Sequence, residues 1–406
     1  MHDFAIDWLV VILRWTHIVA ILGWVGASLY FMWLDSKLRR PGVSRPNVLG
    51  EAWMGHGGGF YIVEKRHISP GEVPSPVYWF RNEAAITWVT GFLLLVFTYY
   101  WSGGVDLIDA DKWLKSPGTA VCVAIGLLVG CWLVYDTLWA SSFAASRPVL
   151  ATAISSVLLF VVVYSLCMLF NGRAAYIHIG SILGTCMVGN VWRRIIPAQQ
   201  EAVAATSAGR ERNMVLALRA RRRAQHNTYL TLPVIFTMIA AHAPSTFSHP
   251  LNWLVMTLLI VAGIAARQLM ILFDRRAIAP AAWLPTAGLI GVAVVILAVL
   301  TGPREELAPS QATAAAQPPS IHVVRGIVEL RCVGCHAQKP SVPGFSAAPG
   351  GVRLDTLDEI VRNAAKINAT AVATRSMPPG NSTGMTDEER TLLGRWIAAG
   401  AQGVRR

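Results

Sequence analysis

Long apolar stretches recur along most of the chain and stop well before its end. A helix that crosses a bilayer needs about 20 mostly apolar residues. By this measure the pattern predicts eight spanning helices, at 6–34, 82–101, 118–139, 149–170, 174–195, 228–242, 252–273 and 282–301. The sixth stretch is short and contains Pro233, so it fits the pattern least well. The first lacks the small-residue cleavage site of a signal peptide, so we interpret it as a spanning helix.

Basic residues predict how these helices are oriented. They are concentrated in the connections after the first, third, fifth and seventh stretches. The connection after the seventh stretch contains Arg275 and Arg276, and the remaining connections contain few basic residues. Cytoplasmic connections are enriched in lysine and arginine, so both termini are predicted to lie outside the cytoplasm. This distribution accounts for the net charge of +12, so we expect a lipid bilayer and no nucleic acid as partner.

The first and fifth stretches share a pattern that indicates an internal repeat. One contains His17-Ile-Val-Ala-Ile-Leu-Gly23 and the other His178-Ile-Gly-Ser-Ile-Leu-Gly184. A basic connection follows each of them, and a polar cluster then opens the next span, Arg81-Asn82-Glu83 in one case and Gln225-His226-Asn227 in the other. The predicted fold class is therefore all-α, a bundle of eight transmembrane helices in two four-helix halves fused to a small α-helical domain.

A C-x-x-C-H motif stands near the end of the chain, at Cys332, Cys335 and His336. This spacing lets two thiols attach to one haem while the histidine ligates its iron, which predicts a haem c. The sixth ligand is predicted to be Met377, on a proline-rich segment, with Met385 as the alternative. A His–Met pair leaves no open iron position and suits electron transfer.

The haem motif defines the domain boundaries at the C-terminal end. Residues 302–320 are rich in proline and alanine and predict a flexible linker. Residues 321–406 are enough for one small cytochrome c domain. Its last helix is predicted to begin at a capping box formed by Thr386 and Glu389. Haem c is attached outside the cytoplasm, which agrees with the orientation predicted from charge.

Histidines inside predicted spans are the first candidates for a site in the membrane part. Burying an ionisable residue in a bilayer is costly, so such residues are functional candidates. His17 and His178 occupy equivalent repeat positions and could ligate a b-type haem, line one pocket, or simply hydrogen-bond neighbouring helices. Arg14, Asp136 and Asn190 are weaker candidates of the same kind.

A second group of candidates is predicted to lie toward the cytoplasmic side. The glycine-rich segment 50–61 contains Trp53 and His56, and its alternative interpretation is a plain turn between helices. Further polar residues are Arg81, Asn82 and Glu83 at the second span and Arg267 and Gln268 in the seventh. Arginine and amide side chains together suit a planar, anionic ligand that carries ring amides.

The chain as a whole resembles the membrane-integral cytochrome c urate oxidases of bacteria. The stretches that carry the resemblance are 13–24, 30–35, 53–61, Met377-Pro378-Pro379 and 386–399. The resemblance implies a membrane urate oxidase domain at 1–301 and a periplasmic monohaem cytochrome c domain at 321–406, in the bacterial inner membrane.

The resemblance also implies a reaction, the oxidation of urate to 5-hydroxyisourate in purine degradation. Electrons would leave through haem c to a respiratory cytochrome or oxidase rather than reduce oxygen to peroxide. His56, Glu83 and Arg81 become candidate catalytic residues, and Trp53, Asn82, Arg267 and Gln268 candidate urate ligands. Two alternatives stay open: a quinol:cytochrome c electron-transfer protein without purine chemistry, and a transporter with a redox-sensing cytochrome tail.

Overall fold

The computed structural model describes residues 2–42, 45–70, 72–101, 103–109, 112–274, 279–302, 318–342 and 347–401. The chain is mostly helical up to residue 302 and contains α1 (His2–Lys37), α2 (Arg81–Leu95), α3 (Pro117–Ala140), α4 (Ser142–Ser146), α5 (Pro148–Leu169), α6 (Gly172–Asn190), α7 (Ile196–Ser207), α8 (Met214–Ile239), α9 (Pro244–Phe247), α10 (Asn252–Asp274) and α11 (Pro280–Thr301). Single π-helical turns extend α2 through Val96–Tyr100 and join α6 to α7 through Val191–Ile195.

Seven helical segments in the described residues are long and apolar enough to cross a membrane, and they match seven of the eight predicted spans. The eighth prediction, 228–242, falls on α8, which is a continuous helix but has four arginines in its first half. Its internal Pro233 is accommodated because Gly263 of α10 faces the proline ring. These seven helices fit a multi-pass membrane protein, while the count of eight spans stays a prediction.

The helix α6 lies at the centre of the bundle and packs against α2, α3, α5 and α8. Small side chains let its neighbours approach closely, as is common between membrane helices. At Gly180, a Cβ atom would lie 1.9 Å from the hydroxyl oxygen of Thr237 on α8. The largest apolar core surrounds this helix and includes Leu107, which belongs to the connection between α2 and α3.

The segment 50–61, predicted as a ligand-binding loop with a plain turn as the alternative, is instead part of an antiparallel β-hairpin of β1 (Val48–His56) and β2 (Gly59–Arg66). Gly57 and Gly58 form its turn, both with positive φ, which is the requirement of a two-residue hairpin turn. The prediction of a purely helical fold is therefore wrong at this one place. The residues on both sides of the two glycines pair with each other across the hairpin, from His56 and Gly59 outward, and this pairing favours strands over a helix.

The long basic connection predicted after the fifth span is also largely helical, because α7 and the start of α8 lie there. Arg275 and Arg276, which supported the predicted orientation, lie outside the described residues, as does most of the predicted linker, 303–317.

Residues 318–401 contain a second, smaller set of helices: α12 (Ile321–Arg331), α13 (Val333–His336), α14 (Leu357–Arg362), α15 (Ala364–Ile367) and α16 (Asp387–Ala398). We call this part the C-terminal unit. It has its own apolar core, in which Val324, Leu393 and Trp396 are buried. The predicted capping box is confirmed, since the Thr386 hydroxyl accepts from the Glu389 amide and the Glu389 carboxylate accepts from the Thr386 amide.

The contact at Gly180 gives a test of the packing. We expect Gly180→Ala to lower the free energy of unfolding by about 1–3 kcal/mol, because the new methyl group overlaps Thr237. Gly184→Ala is the matched control, one turn along the same helix with no heavy atom within 4 Å of the added Cβ. It should leave stability unchanged or raise it, because alanine favours helix. Thermal unfolding in detergent measures both, and equal midpoints would contradict this packing.

Candidate functional site

A cavity of about 210 Å³ lies between α1, α8 and α10. Its lining is polar on two sides and apolar on the third, and consists of Met32, Gln225, Thr228, Tyr229, Gln268 and Ile271. The α8 members are spaced i, i+3 and i+4, which places them on one helix face. The Tyr229 hydroxyl donates to Oε1 of Gln268 over 2.6 Å, which leaves the Gln268 amide nitrogen as a donor.

Arg267 lies beside this cavity and is almost completely buried, with 2% of its surface exposed. Its guanidinium contacts two sulfur atoms, Met32 Sδ at 3.0 Å and Met270 Sδ at 3.8 Å, and its Nε has no hydrogen-bond partner. Buried arginines normally pair with carboxylates or other anions, because an uncompensated charge is costly. Among the described residues no carboxylate forms an ion pair with Arg267, so a buried positive charge without an ion-pair partner lies beside the cavity.

Another face of α8 takes part in a separate buried network. Asp136 of α3 accepts from Arg223 at 2.9 Å and from Nε of Arg194 at 2.9 Å. Arg223 also donates to Asn190 at 3.3 Å, and Asn190 donates to Asn227 at 2.8 Å. Because each of these groups is partnered, the network joins α3, α6 and α8 and leaves no polar group for a ligand.

The sequence pointed to some members of these two groups and not to others. Asp136 and Asn190 were predicted as intramembrane polar residues, and Arg267 and Gln268 as ligand residues. Arg223 was assigned to a cytoplasmic basic connection, and Tyr229 was not predicted at all. The helical spacing of Gln225, Thr228 and Tyr229 was the available signal, and it becomes visible once α8 is known to begin at Met214.

His17 and His178 do not contact each other, and each has its own partners. His17 Nδ1 is 2.9 Å from the Thr90 hydroxyl. His178 is buried, with Nδ1 2.7 Å from the Ala174 carbonyl and Nε2 2.9 Å from the Tyr100 hydroxyl. Both ring nitrogens of His178 are thus engaged, so ligation of a haem b by this residue would require the Tyr100 hydrogen bond to break.

The remaining candidate residues of the membrane part lie away from the Arg267 cavity. Trp53 lines a different cavity of about 350 Å³, between the hairpin and the end of α1. His56 ends β1 and is exposed at the hairpin turn. Asn82 is exposed, and the Arg81 guanidinium lies over the ring of Trp192. His56, Arg81, Asn82 and Glu83 line neither of these two cavities.

Glu83 nevertheless stands out among them. Its Oε2 is buried without a hydrogen-bond partner, and its side chain packs where Gly23 of α1 lacks a Cβ. A buried carboxylate oxygen without a partner is rare. The three candidate residues at the start of α2 are therefore close in sequence but have different surroundings.

The C-x-x-C-H residues lie on one turn at the end of α12. Cys332 and Cys335 are free and partly accessible. His336 Nδ1 lies 2.8 Å from the Val352 carbonyl oxygen, which fixes the ring and leaves Nε2 for another partner. Burial raises the pKa of the Cys332 thiol to about 11 and also raises the pKa of the Cys335 thiol, whereas redox C-x-x-C pairs have a lowered thiol pKa.

Met377 and Met385 differ in their surroundings. Met385 is 2% exposed and belongs to the apolar core of the C-terminal unit, while Met377 is only partly buried. Both peptide groups of Met377 are held: its amide donates to Thr370 at 3.0 Å, and its carbonyl accepts from the buried Arg390 at 2.9 Å. The positioning role of Arg390 was not predicted from the sequence.

These residues fit a covalently bound haem c better than a bare metal ion. Two accessible thiols stand at the attachment spacing, one histidine nitrogen is left for iron, and one methionine lies on a fixed loop. Within the described ranges, no group of three or more His, Cys, Asp or Glu side chains could hold a metal ion.

The buried network provides a test that is independent of any ligand. Asp136→Asn removes the carboxylate that faces both Arg223 and Arg194, and we expect it to lower the free energy of unfolding by about 3–5 kcal/mol. The matched control is Asp35→Asn, since Asp35 forms an exposed pair with Lys65 at 2.8 Å. That change should cost no more than about 1 kcal/mol. Similar unfolding midpoints for the two variants in detergent would contradict a structural role of the network.

Comparison with known proteins gives one family. The family model described as urate oxidase N-terminal matches residues 3–300, which is more than half of the chain. No curated protein and no solved structure matches the chain.

Proposed function

The chain belongs to the urate oxidase N-terminal family, and from this premise we propose that it is a membrane enzyme that oxidises urate to 5-hydroxyisourate and delivers the electrons to haem c. The reaction balances as urate plus water giving 5-hydroxyisourate, two protons and two electrons. The family match supports the urate chemistry, and seven apolar helices support a membrane location.

The observation that carries this proposal is the buried guanidinium of Arg267. It has no carboxylate partner and adjoins a cavity with amide and hydroxyl groups on its wall. Urate is a planar anion at neutral pH with several ring carbonyl and N–H groups. Arginine compensates such a charge and forms directional hydrogen bonds to it. We therefore assign the urate site to this cavity.

The chain's own residues would bind and orient urate there. Arg267 supplies the positive charge, and Gln268 offers an amide donor because its oxygen already accepts from Tyr229. Gln225 offers a second amide on the facing helix. Urate would replace Met32 Sδ as a partner of the Arg267 guanidinium, because an anion accepts a stronger hydrogen bond than a thioether sulfur. His56, Glu83 and Arg81 lie outside this cavity, so no proton transfer is assigned to them.

The electron acceptor in this proposal is a haem c held by the C-terminal unit. Cys332 and Cys335 would carry it, with His336 and Met377 as the axial residues. Such a group supplies a one-electron acceptor with no open position for oxygen. Arg390 keeps the Met377 loop in place from inside the unit.

The decisive experiment is anaerobic. Purified full-length protein is mixed with urate, and the absorption band of reduced haem c is followed, with xanthine and a quinol as controls. We expect reduction by urate and not by xanthine. Reduction by the quinol alone would place the chain among quinol:cytochrome c proteins, and uptake of urate without any haem reduction would indicate a transporter.

Arg267 provides the first mutational test. We expect Arg267→Met to weaken urate binding by at least about 100-fold, because a charge-assisted pair in a buried site is worth roughly 3 kcal/mol or more. Arg219→Met is the matched control, since Arg219 lies on the exposed surface of α8. Equilibrium binding of urate to detergent-solubilised protein measures both. Equal affinities would remove the urate site from this cavity.

The axial methionine provides the second test. Met377→Leu should abolish the sulfur-to-iron charge-transfer band and lower the reduction potential of the haem, because the thioether ligand raises it. Met385→Leu is a conservative change in the apolar core and should leave both unchanged. Loss of the band in Met385→Leu and its retention in Met377→Leu would identify Met385 as the ligand instead.

A further inference from the structure

Residues 103–109 of the connection between α2 and α3, which we call the connector, contact the C-terminal unit. The contact involves the Val105–Leu107 turn of the connector and the Pro379–Asn381 turn that follows Met377. A Cβ atom on Gly380 would lie 2.4 Å from the carbonyl oxygen of Ile108 and 3.2 Å from the Cα of Asp109. The two backbones therefore touch directly, with no side chain between them.

The connector is fixed to the helical bundle on its other side. Leu107 is completely buried in the main apolar core. Its carbonyl accepts from the Asn171 amide at 2.9 Å, and the Asn171 side chain donates to the Asp106 carbonyl. Because Asn171 also caps α6, these hydrogen bonds attach the connector to the first turn of that helix.

A buried aromatic cluster lies directly beneath the connector. Tyr99 packs edge-on against His178, and the Tyr100 hydroxyl is hydrogen-bonded to His178. From His178 the contacts continue through the Ala174 carbonyl at 2.7 Å, and the Ala174 amide donates to Asn171 at 2.9 Å. A continuous chain of contacts thus runs from Tyr100 to the connector, and the connector touches Gly380, three residues after Met377.

We propose that the connector is a docking platform for the C-terminal unit, which holds the loop 377–380 above the cluster of Tyr99, Tyr100 and His178. The partner is a segment of this same chain, recognised by backbone contact at a glycine. The docking itself depends only on these contacts. Its purpose rests on the proposed function, because it would place the haem ligand Met377 at the point of the bundle from which electrons leave.

Docking can be measured by crosslinking without urate and without any redox readout. Val105→Cys and Pro379→Cys place exposed thiols on the two turns, and a short bis-maleimide joins them in membranes that contain the full-length protein. Digestion and mass spectrometry identify the joined peptides, which separates them from products of the native cysteines. We expect efficient joining of these two positions.

The contact at Gly380 supplies the perturbation and its control. Gly380→Ala, added to the cysteine pair, should reduce joining at least about tenfold, because its methyl group overlaps the Ile108 carbonyl. Gly380 also has a positive φ of 55°, so alanine at this position would strain its own backbone in addition to clashing with Ile108. Gly350→Ala carries the same strain at a φ of 61° in the same unit, with no heavy atom within 4 Å of the added Cβ, and it should leave joining unchanged.

Equal joining in the two alanine variants would overturn the proposal, as would failure of the cysteine pair to join in the parent protein. Haem staining and the unfolding midpoint confirm that both variants are folded. A docked unit whose haem is not reduced by urate would instead reject the proposed function and leave the docking surface standing, so the two failures are distinguishable.

Discussion

Every polar group inside the helical bundle needs a partner within the protein, because a bilayer core offers no water to hydrogen-bond. Most of the described groups meet this condition. Arg223 pairs with Asp136, Asn190 pairs with Asn227, and His178 pairs with Tyr100. Arg267 departs from this pattern, since its guanidinium has only sulfur atoms as hydrogen-bond partners and its Nε has none, and Glu83 Oε2 is also without a partner. The same constraint thus accounts for the packing of α3, α6 and α8 and is the reason that the proposed urate site lies beside Arg267.

The apolar pattern predicted the helices well because length and hydropathy are local properties. Seven predicted spans correspond to helices whose ends lie within a few residues of the prediction, apart from the extension of α6 into α7. The hairpin was missed because its signal, Gly57 and Gly58 between alternating residues, was interpreted as a ligand loop. The capping box at Thr386 was confirmed because it depends on four consecutive residues and on no distant contact.

The proposed urate site could be predicted only in part, because the convergence of side chains depends on tertiary packing. Arg267 and Gln268 were found as polar residues in an apolar stretch, which is a strong local signal. The helices α1 and α8 complete the cavity through Met32, Gln225 and Tyr229. Nothing in the sequence indicates which faces of these helices meet. His17 and His178 were paired by a repeat pattern, yet the fold gives each a different partner.

The arginine-rich first half of α8 has a consequence for how the protein is made. A helix is released from the insertion machinery into lipid according to its apolarity. Seven of the described helical segments are apolar enough by themselves, and α8 is not among them. If α8 crosses the bilayer as the sequence predicts, its insertion depends on packing against α6 and α10, the two helices that it contacts most.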